Sequence, residues 1–172
     1  MANKEALREL QSRLAERLAA ARTQERGKSW LAVECSERGF LFPLREAGEI
    51  FALAPLQTVP HTHRWFLGVS NLRGHLHGVV DLAAFLAVKV GDANRDQARL
   101  VGFNPRFDLN CALMVDRLSG LRSEDQLTLQ PDDHRPRPAF VGQCYRDAAG
   151  RLWQELNLSE LARDEALLRI VG

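Results

Sequence analysis

The chain has 172 residues, 45 % of them apolar and 26 % charged, which is enough for one ordinary domain with a core of its own. Its 23 basic and 22 acidic side chains leave a formal charge of +1, so it lacks the basic footprint of a nucleic-acid binder or of a protein drawn to anionic membranes. No apolar run approaches a membrane span, the N-terminal segment alternates charges where a secretory signal would be apolar, and no solenoid-type repeat is present. Cys35, Cys111 and Cys144 form no short-spaced pair, and they read as small buried hydrophobes of a reducing compartment. A cytoplasmic location is expected.

Asn3 to about Thr23 predicts an amphipathic helix with Leu7, Leu10, Leu14 and Leu18 on one stripe, ended by Gly27. Such a stripe is expected to pack on the chain's own domain; docking on another protein's helix or groove is the alternative. The chain therefore divides into a helical segment, residues 1–27, and a domain, residues 28–172.

From Trp30 the period changes. WLAVEC and GFLFPL predict a hairpin around the turn Ser36–Gly39, and AGEIF continues the strand pattern. Glu49 stands there between apolar neighbours, as a solvent-facing strand residue or as an acidic contact for a partner. Pro55 and Pro60 bracket a loop leading to Trp65–Leu82, WFLGVSNLRGHLHGVVDL, which predicts a second hairpin turning at Arg73 and Gly74. Asp81 can cap a short helix from Leu82 to about Leu86. No acidic residue nearby in sequence claims Arg73, so its planar guanidinium is either solvated or free to grip a carboxylate or carbonyls of a partner.

A polar connection over 91–97 precedes strands at Arg99–Phe103 and Cys111–Val115, joined by NPRFDLN as a further hairpin. PDDHRPRP, Pro131 to Pro138, reads as an exposed loop because proline cannot continue a central strand. A last hairpin turns at Asp147–Gly150, and a final helix with Ser159 as its cap places Leu161, Leu167 and Leu168 inward. Many short strands with close turns make the chain mainly β, in the pattern of small β-barrels.

Catalytic chemistry is sparse. His61-x-His63 and His75-x-His77 could each turn two imidazoles to one strand face and share a metal, which would make a metal-dependent enzyme of small β-barrel type. Against that, His61 and His63 lie in a proline-flanked loop and no carboxylate or cysteine cluster completes a site. Ser70 has no nucleophile elbow, no cysteine has a histidine partner in a recognisable arrangement, and no glycine-rich phosphate loop opens a helix. Trp30, Trp65 and Trp153 read as core or junction anchors. A cofactor is not expected. A third reading, a domain sensing a small molecule, needs a pocket of converging polar groups.

GVSNLRG followed by VVDL resembles the central signature of the CheW-like domain, the coupling module of bacterial chemosensory arrays. AGEIFAL at Ala47–Leu53, ALMVDRLSGL at Ala112–Leu121 and AFVGQCYRDAAGRLWQELNLSELA at Ala139–Ala162 resemble further motifs of the family, in its order and spacing, from about Trp30 to the C-terminus. The resemblance implies two five-stranded β-barrel lobes around a shared core. It also implies a non-catalytic adaptor joining a chemoreceptor's cytoplasmic tip to the regulatory domain of a CheA-like histidine kinase, without nucleic acid or membrane insertion. Within the family, the WF before GVSNLRG and the leading helix are most similar to the adaptors of the type IV pilus system that controls twitching. Carried over by position, Arg73 matches the hairpin arginine of the receptor contact, Glu49 and Ile50 match a segment near the same surface, and Asn71 and Gly74 match residues that shape the hairpin. The kinase contact implied is apolar, at a barrel end, and carries no motif. Gly78 departs from the pattern, standing where many members have proline.

Overall fold

Trp30 to Cys35 is apolar at every position but Glu34, a pattern that suits a strand buried on both faces. In the computed structural model, which describes residues 2–91 and 95–172, with side chains except those of residues 2, 3 and 19–26, this stretch lies at the centre of the molecule. The elements are α1 (Ala2–Arg26), β1 (Ser29–Cys35), β2 (Arg38–Pro43), β3 (Ala47–Ala52), β4 (Phe66–Leu72), β5 (His75–Asp81), α2 (Leu82–Phe85), β6 (Arg99–Phe103), β7 (Cys111–Val115), β8 (Arg117–Ser123), β9 (Leu127–Leu129), β10 (Val141–Asp147), β11 (Leu152–Leu156), α3 (Leu158–Leu161) and α4 (Glu165–Leu168). Of the connection expected over 91–97, residues 92–94 lie outside the described part.

The strands form two sheets, β8-β1-β2-β11-β10-β9 and β3-β6-β7-β5-β4. The first has six strands where five were expected, and the extra one has a simple origin. Arg117 to Leu129 is a single run bent at a 3-10 turn, Glu124–Gln126, so that β8 pairs with β1 and β9 pairs with β10 at the opposite edge. One bent strand thus serves both edges of a five-walled lobe. Only Asp116 separates β7 of one sheet from β8 of the other, and its backbone N–H donates to the Glu34 carbonyl at 2.9 Å.

Side chains along these strands alternate between two cores. Leu31, Val33 and Cys35 of β1, Phe40 and Phe42 of β2, Val101 and Phe103 of β6, and Leu113 and Val115 of β7 meet in a cluster between the sheets, together with Phe140, Leu156, Leu158, Leu161 and Leu167. The intervening residues point the other way. Trp30, Ala32, Leu41, Tyr145 and Trp153 fill the first lobe, whereas Leu72, Val79, Leu100, Ala112 and Met114 fill the second.

The second sheet curls until its β4 edge meets the segment after β3. Gln57 and Val69 exchange two backbone hydrogen bonds of 2.8 Å, and the buried Ser70 hydroxyl donates to the Pro55 carbonyl at 2.9 Å. Gly68, at φ +133°, permits this approach, because a Cβ there would collide with the Gln57 carbonyl. Gly78 is likewise ordered. Its N–H donates to the Asn110 carbonyl at 3.0 Å, a bond proline could not make, and the Phe66 ring occupies the space of a Cβ.

Three expectations are corrected. The leucine stripe of α1 does not pack on the domain: Leu7, Leu10, Leu14 and Leu18 are all more than half exposed. The final helix is two single turns, the first following Asn157 without a side-chain cap and the second capped by Asp164, whose carboxylate accepts from Ala166 and Leu167 N–H; Ser159 instead donates to Glu46. Leu161 and Leu167 are buried as expected, but Leu168 faces solvent because a four-residue turn has only one inner face.

Glu34 is buried on β1 and held by Arg117 of β8 and by Arg151, whose guanidinium donates to it at 2.5 Å and stacks on Trp153 at 4.7 Å. Burial alone would raise this carboxyl; the hydrogen bonds and charges of Arg151 and Arg117 outweigh it and hold the group below its ordinary 4.5. The folded state thus gives up this proton more readily than the unfolded chain. The stability gained is fully present above pH 4.5 and is lost as pH falls through the lowered folded value. Thermal melts of wild type and Glu34→Gln are expected to differ most above pH 4.5 and to converge in more acid solution. In the second sheet, Gly68→Ala is expected to cost about 2 kcal/mol or more in chemical denaturation, through the backbone collision at Gln57.

Candidate partner-binding surface

Leu72 pairs with His75, so β4 and β5 are joined by a two-residue turn of Arg73 and Gly74. Both take left-handed backbone angles, φ +50° and +82°, which makes the primed turn that matches the twist of a hairpin. Asn71 completes it, its side-chain oxygen accepting from the Gly74 N–H at 2.9 Å. Open space surrounds Gly74 on the side where a Cβ would project.

Arg73 is not unclaimed, as its sequence neighbours suggested; its guanidinium pairs with Glu49 of β3. Twenty-four residues separate the two, and the curl of the second sheet brings them together. Both remain open to water, with side chains 75 % and 43 % exposed. Ile50, next to Glu49, and Leu76, three residues past Arg73, are exposed apolar side chains on the same two strands. Sequence reasoning did not single out Leu76, because on a strand of mixed pattern nothing local says which face is covered.

Two magnitudes weigh against a purely structural role for this arginine. An exposed ion pair contributes about 0–1 kcal/mol, whereas a left-handed backbone costs a residue with a Cβ roughly 1–2 kcal/mol. The turn would be at least as stable with asparagine. Arg73 is thus a long cation with a carboxylate beside it, held at the tip of a tight hairpin, and a partner can share both groups without displacing core.

The CheW-like domain family model matches residues 29–166. The chain belongs to the CheW-like domain family. It is 29 % identical over 101 residues to "Protein PilI" of Pseudomonas aeruginosa, a match covering 58 % of this chain and 56 % of that protein's length. It is also 29 % identical over 119 residues to "Probable chemotaxis protein CheW" of Rhizobium etli, covering 69 % of this chain and 72 % of the relative. The crystal structure of the scaffolding protein TtCheW from Thermoanaerobacter tengcongensis shares the fold, with a TM-score of 0.63 at 17 % identity over 81 % of this chain and 95 % of that one. The family model thus assigns residues 29–166 to the CheW-like domain, and the TtCheW structure shows that the fold is shared.

The rings of His63 and His77 pack on aromatic neighbours, and the backbone carbonyls of His61 and His75 accept hydrogen bonds. The His61 carbonyl accepts from Gly172 N–H at 3.1 Å, His63 stacks on Trp65 at 5.3 Å, and His77 lies against Phe51 with Nδ1 3.0 Å from the His75 carbonyl. Among the described residues no three His, Cys, Asp or Glu side chains are gathered as a metal site. Burial pushes the Cys35 and Cys111 thiols up to about 12, so both stay protonated at neutral pH. A groove of about 510 Å³ is lined by the apolar Phe40, Leu86, Val88, Val141, Leu152 and Leu156 and by the polar Glu37, Arg38, Arg151 and Gln154. Arg73→Asn is expected to match or exceed wild-type stability by up to about 1 kcal/mol in urea denaturation, since asparagine tolerates the turn.

Proposed function

We propose that this chain is the coupling protein of a chemosensory pathway, binding a chemoreceptor's cytoplasmic tip through the surface of Arg73, Glu49, Ile50, Asn71 and Gly74. Through a separate apolar surface it binds the regulatory domain of a CheA-like histidine kinase. The observation that carries the reading is Arg73: an exposed cation kept in a backbone conformation that favours asparagine or glycine, on the hairpin that bears the family's signature. Asn71 and Gly74 set the turn, Glu49 orients the guanidinium, and Ile50 supplies apolar area beside it. Similarity to PilI supports a pathway controlling type IV pili and twitching. Residues 28–172 form the coupling domain and residues 1–27 an appended helix, and an address in the cytoplasm follows from the receptor tip as partner.

Arg73→Glu tests this. A central interface arginine is worth about 2 kcal/mol or more, so affinity for the receptor tip is expected to fall roughly thirty-fold, while affinity for the isolated kinase regulatory domain is unchanged. Its melting temperature stays close to wild type, because the lost pair is exposed. In cells the same variant is expected to lose twitching control. Normal receptor-dependent kinase control by Arg73→Glu would overturn the assignment.

A further inference from the structure

The ion pair at the hairpin tip has hydrogen-bonding capacity left over. Its contact joins Nη1 of Arg73 to Oε1 of Glu49, and neither side chain makes another hydrogen bond or ion pair among the described residues. A guanidinium has five N–H donors and a carboxylate has two acceptor oxygens. Unused donors of Arg73 therefore stand beside an unused oxygen of Glu49, and both groups are open to water.

The receptor assignment above, on which this inference rests, seats a receptor tip on Arg73, and such a contact withdraws water from both groups. Each leftover donor and acceptor then needs a partner, because a covered polar group left unsatisfied costs more than a made hydrogen bond returns. A carboxylate on the receptor satisfies Arg73 but sets like charge against Glu49. A receptor cation satisfies Glu49 but sets like charge against Arg73. Either one competes with the existing pair and strands an ion as water leaves. A hydroxyl is neutral, but it must accept and donate through one atom with one proton. A primary carboxamide carries an accepting oxygen and a donating nitrogen side by side on one carbon, without charge, so it completes both ions and leaves the pair intact.

We propose that the receptor group received by the Arg73–Glu49 pair is the side-chain carboxamide of an asparagine or glutamine, its oxygen accepting from Arg73 and its nitrogen donating to Glu49. Glu49 is then a contact in its own right as well as the group that orients the guanidinium. Recognition belongs to the pair as a unit: the carboxamide is welcomed, and a charge of either sign is turned away. Because a half-turn about its bond to the side chain exchanges the oxygen and nitrogen of a carboxamide, the site should tolerate exchange of its own two charges.

The test measures the affinity of the full chain for the receptor tip as wild type, Arg73→Glu, Glu49→Gln and the exchanged pair Glu49→Arg/Arg73→Glu. Arg73→Glu alone is expected to lose roughly thirty-fold, and the exchange is expected to recover to within about three-fold of wild type as the amide turns over. Glu49→Gln is expected to weaken binding about five-fold or more, since the covered guanidinium loses its counter-charge. Alanine substitution of the tip's asparagines and glutamines, one at a time, should find one position whose loss matches that of Arg73→Glu and does not add to it. A receptor carboxylate gives the opposite signs: Glu49→Gln binds more tightly, and the exchanged pair stays as weak as Arg73→Glu. Either result, or a scan that finds no such amide, would overturn the proposal and leave the receptor assignment standing. Full affinity of Arg73→Glu would instead remove the receptor assignment, and this inference with it.

Discussion

Strands β1, β2, β6 and β7 each present one row of side chains to a lobe interior and the other row to the cluster between the sheets, so each lobe supplies part of the wall that covers the other. Truncating one buried leucine or phenylalanine in such a wall costs about 2–5 kcal/mol, several times the worth of an exposed ion pair. Stability is therefore concentrated in the doubly buried strands. The hairpin tip, the Asp132–Arg137 loop and α1 can carry binding chemistry without being needed to hold the fold.

That division suits a protein that works by holding partners in a fixed relation. The Arg73 hairpin is the continuation of β4 and β5, whose other ends are buried against α2 and the shared core. Closure of the sheet at Gln57 and Val69 leaves the tip little freedom to swing. Pre-organisation of this kind lowers the ordering cost of association, and it is compatible with a surface that is small and mostly polar.

Buried charges are confined to structural joints. Glu34 ties β1 to β8 and to the start of β11, Glu46 receives the N–H and hydroxyl of Ser159, and Asp81 caps α2 through Ala84 N–H while pairing with Lys89 at 2.9 Å. Among the described residues no buried side-chain nitrogen or oxygen lacks a partner. These carboxylates are fully occupied by the fold, and the protonated thiols of Cys35 and Cys111 add no nucleophile.

Local chemistry was enough to read most of the strands, the turns at Ser36 and at Arg73–Gly74, and the Asp81 cap, because period-two apolar runs, glycine and a capping carboxylate act over a few residues. The ordered motifs of the CheW-like family were legible for the same reason. Long-range closure decided the rest. The assignment of β3 to the second sheet, the bend that lets residues 117–129 serve two edges, and the approach of Glu49 to Arg73 all depend on how sheets curl around a common core. Likewise the apolar stripe of α1 specified a helix with one greasy face, but not what covers it. Periodicity fixes which residues share a face; only the packed structure shows that the domain's core is filled from within and that this face stays exposed.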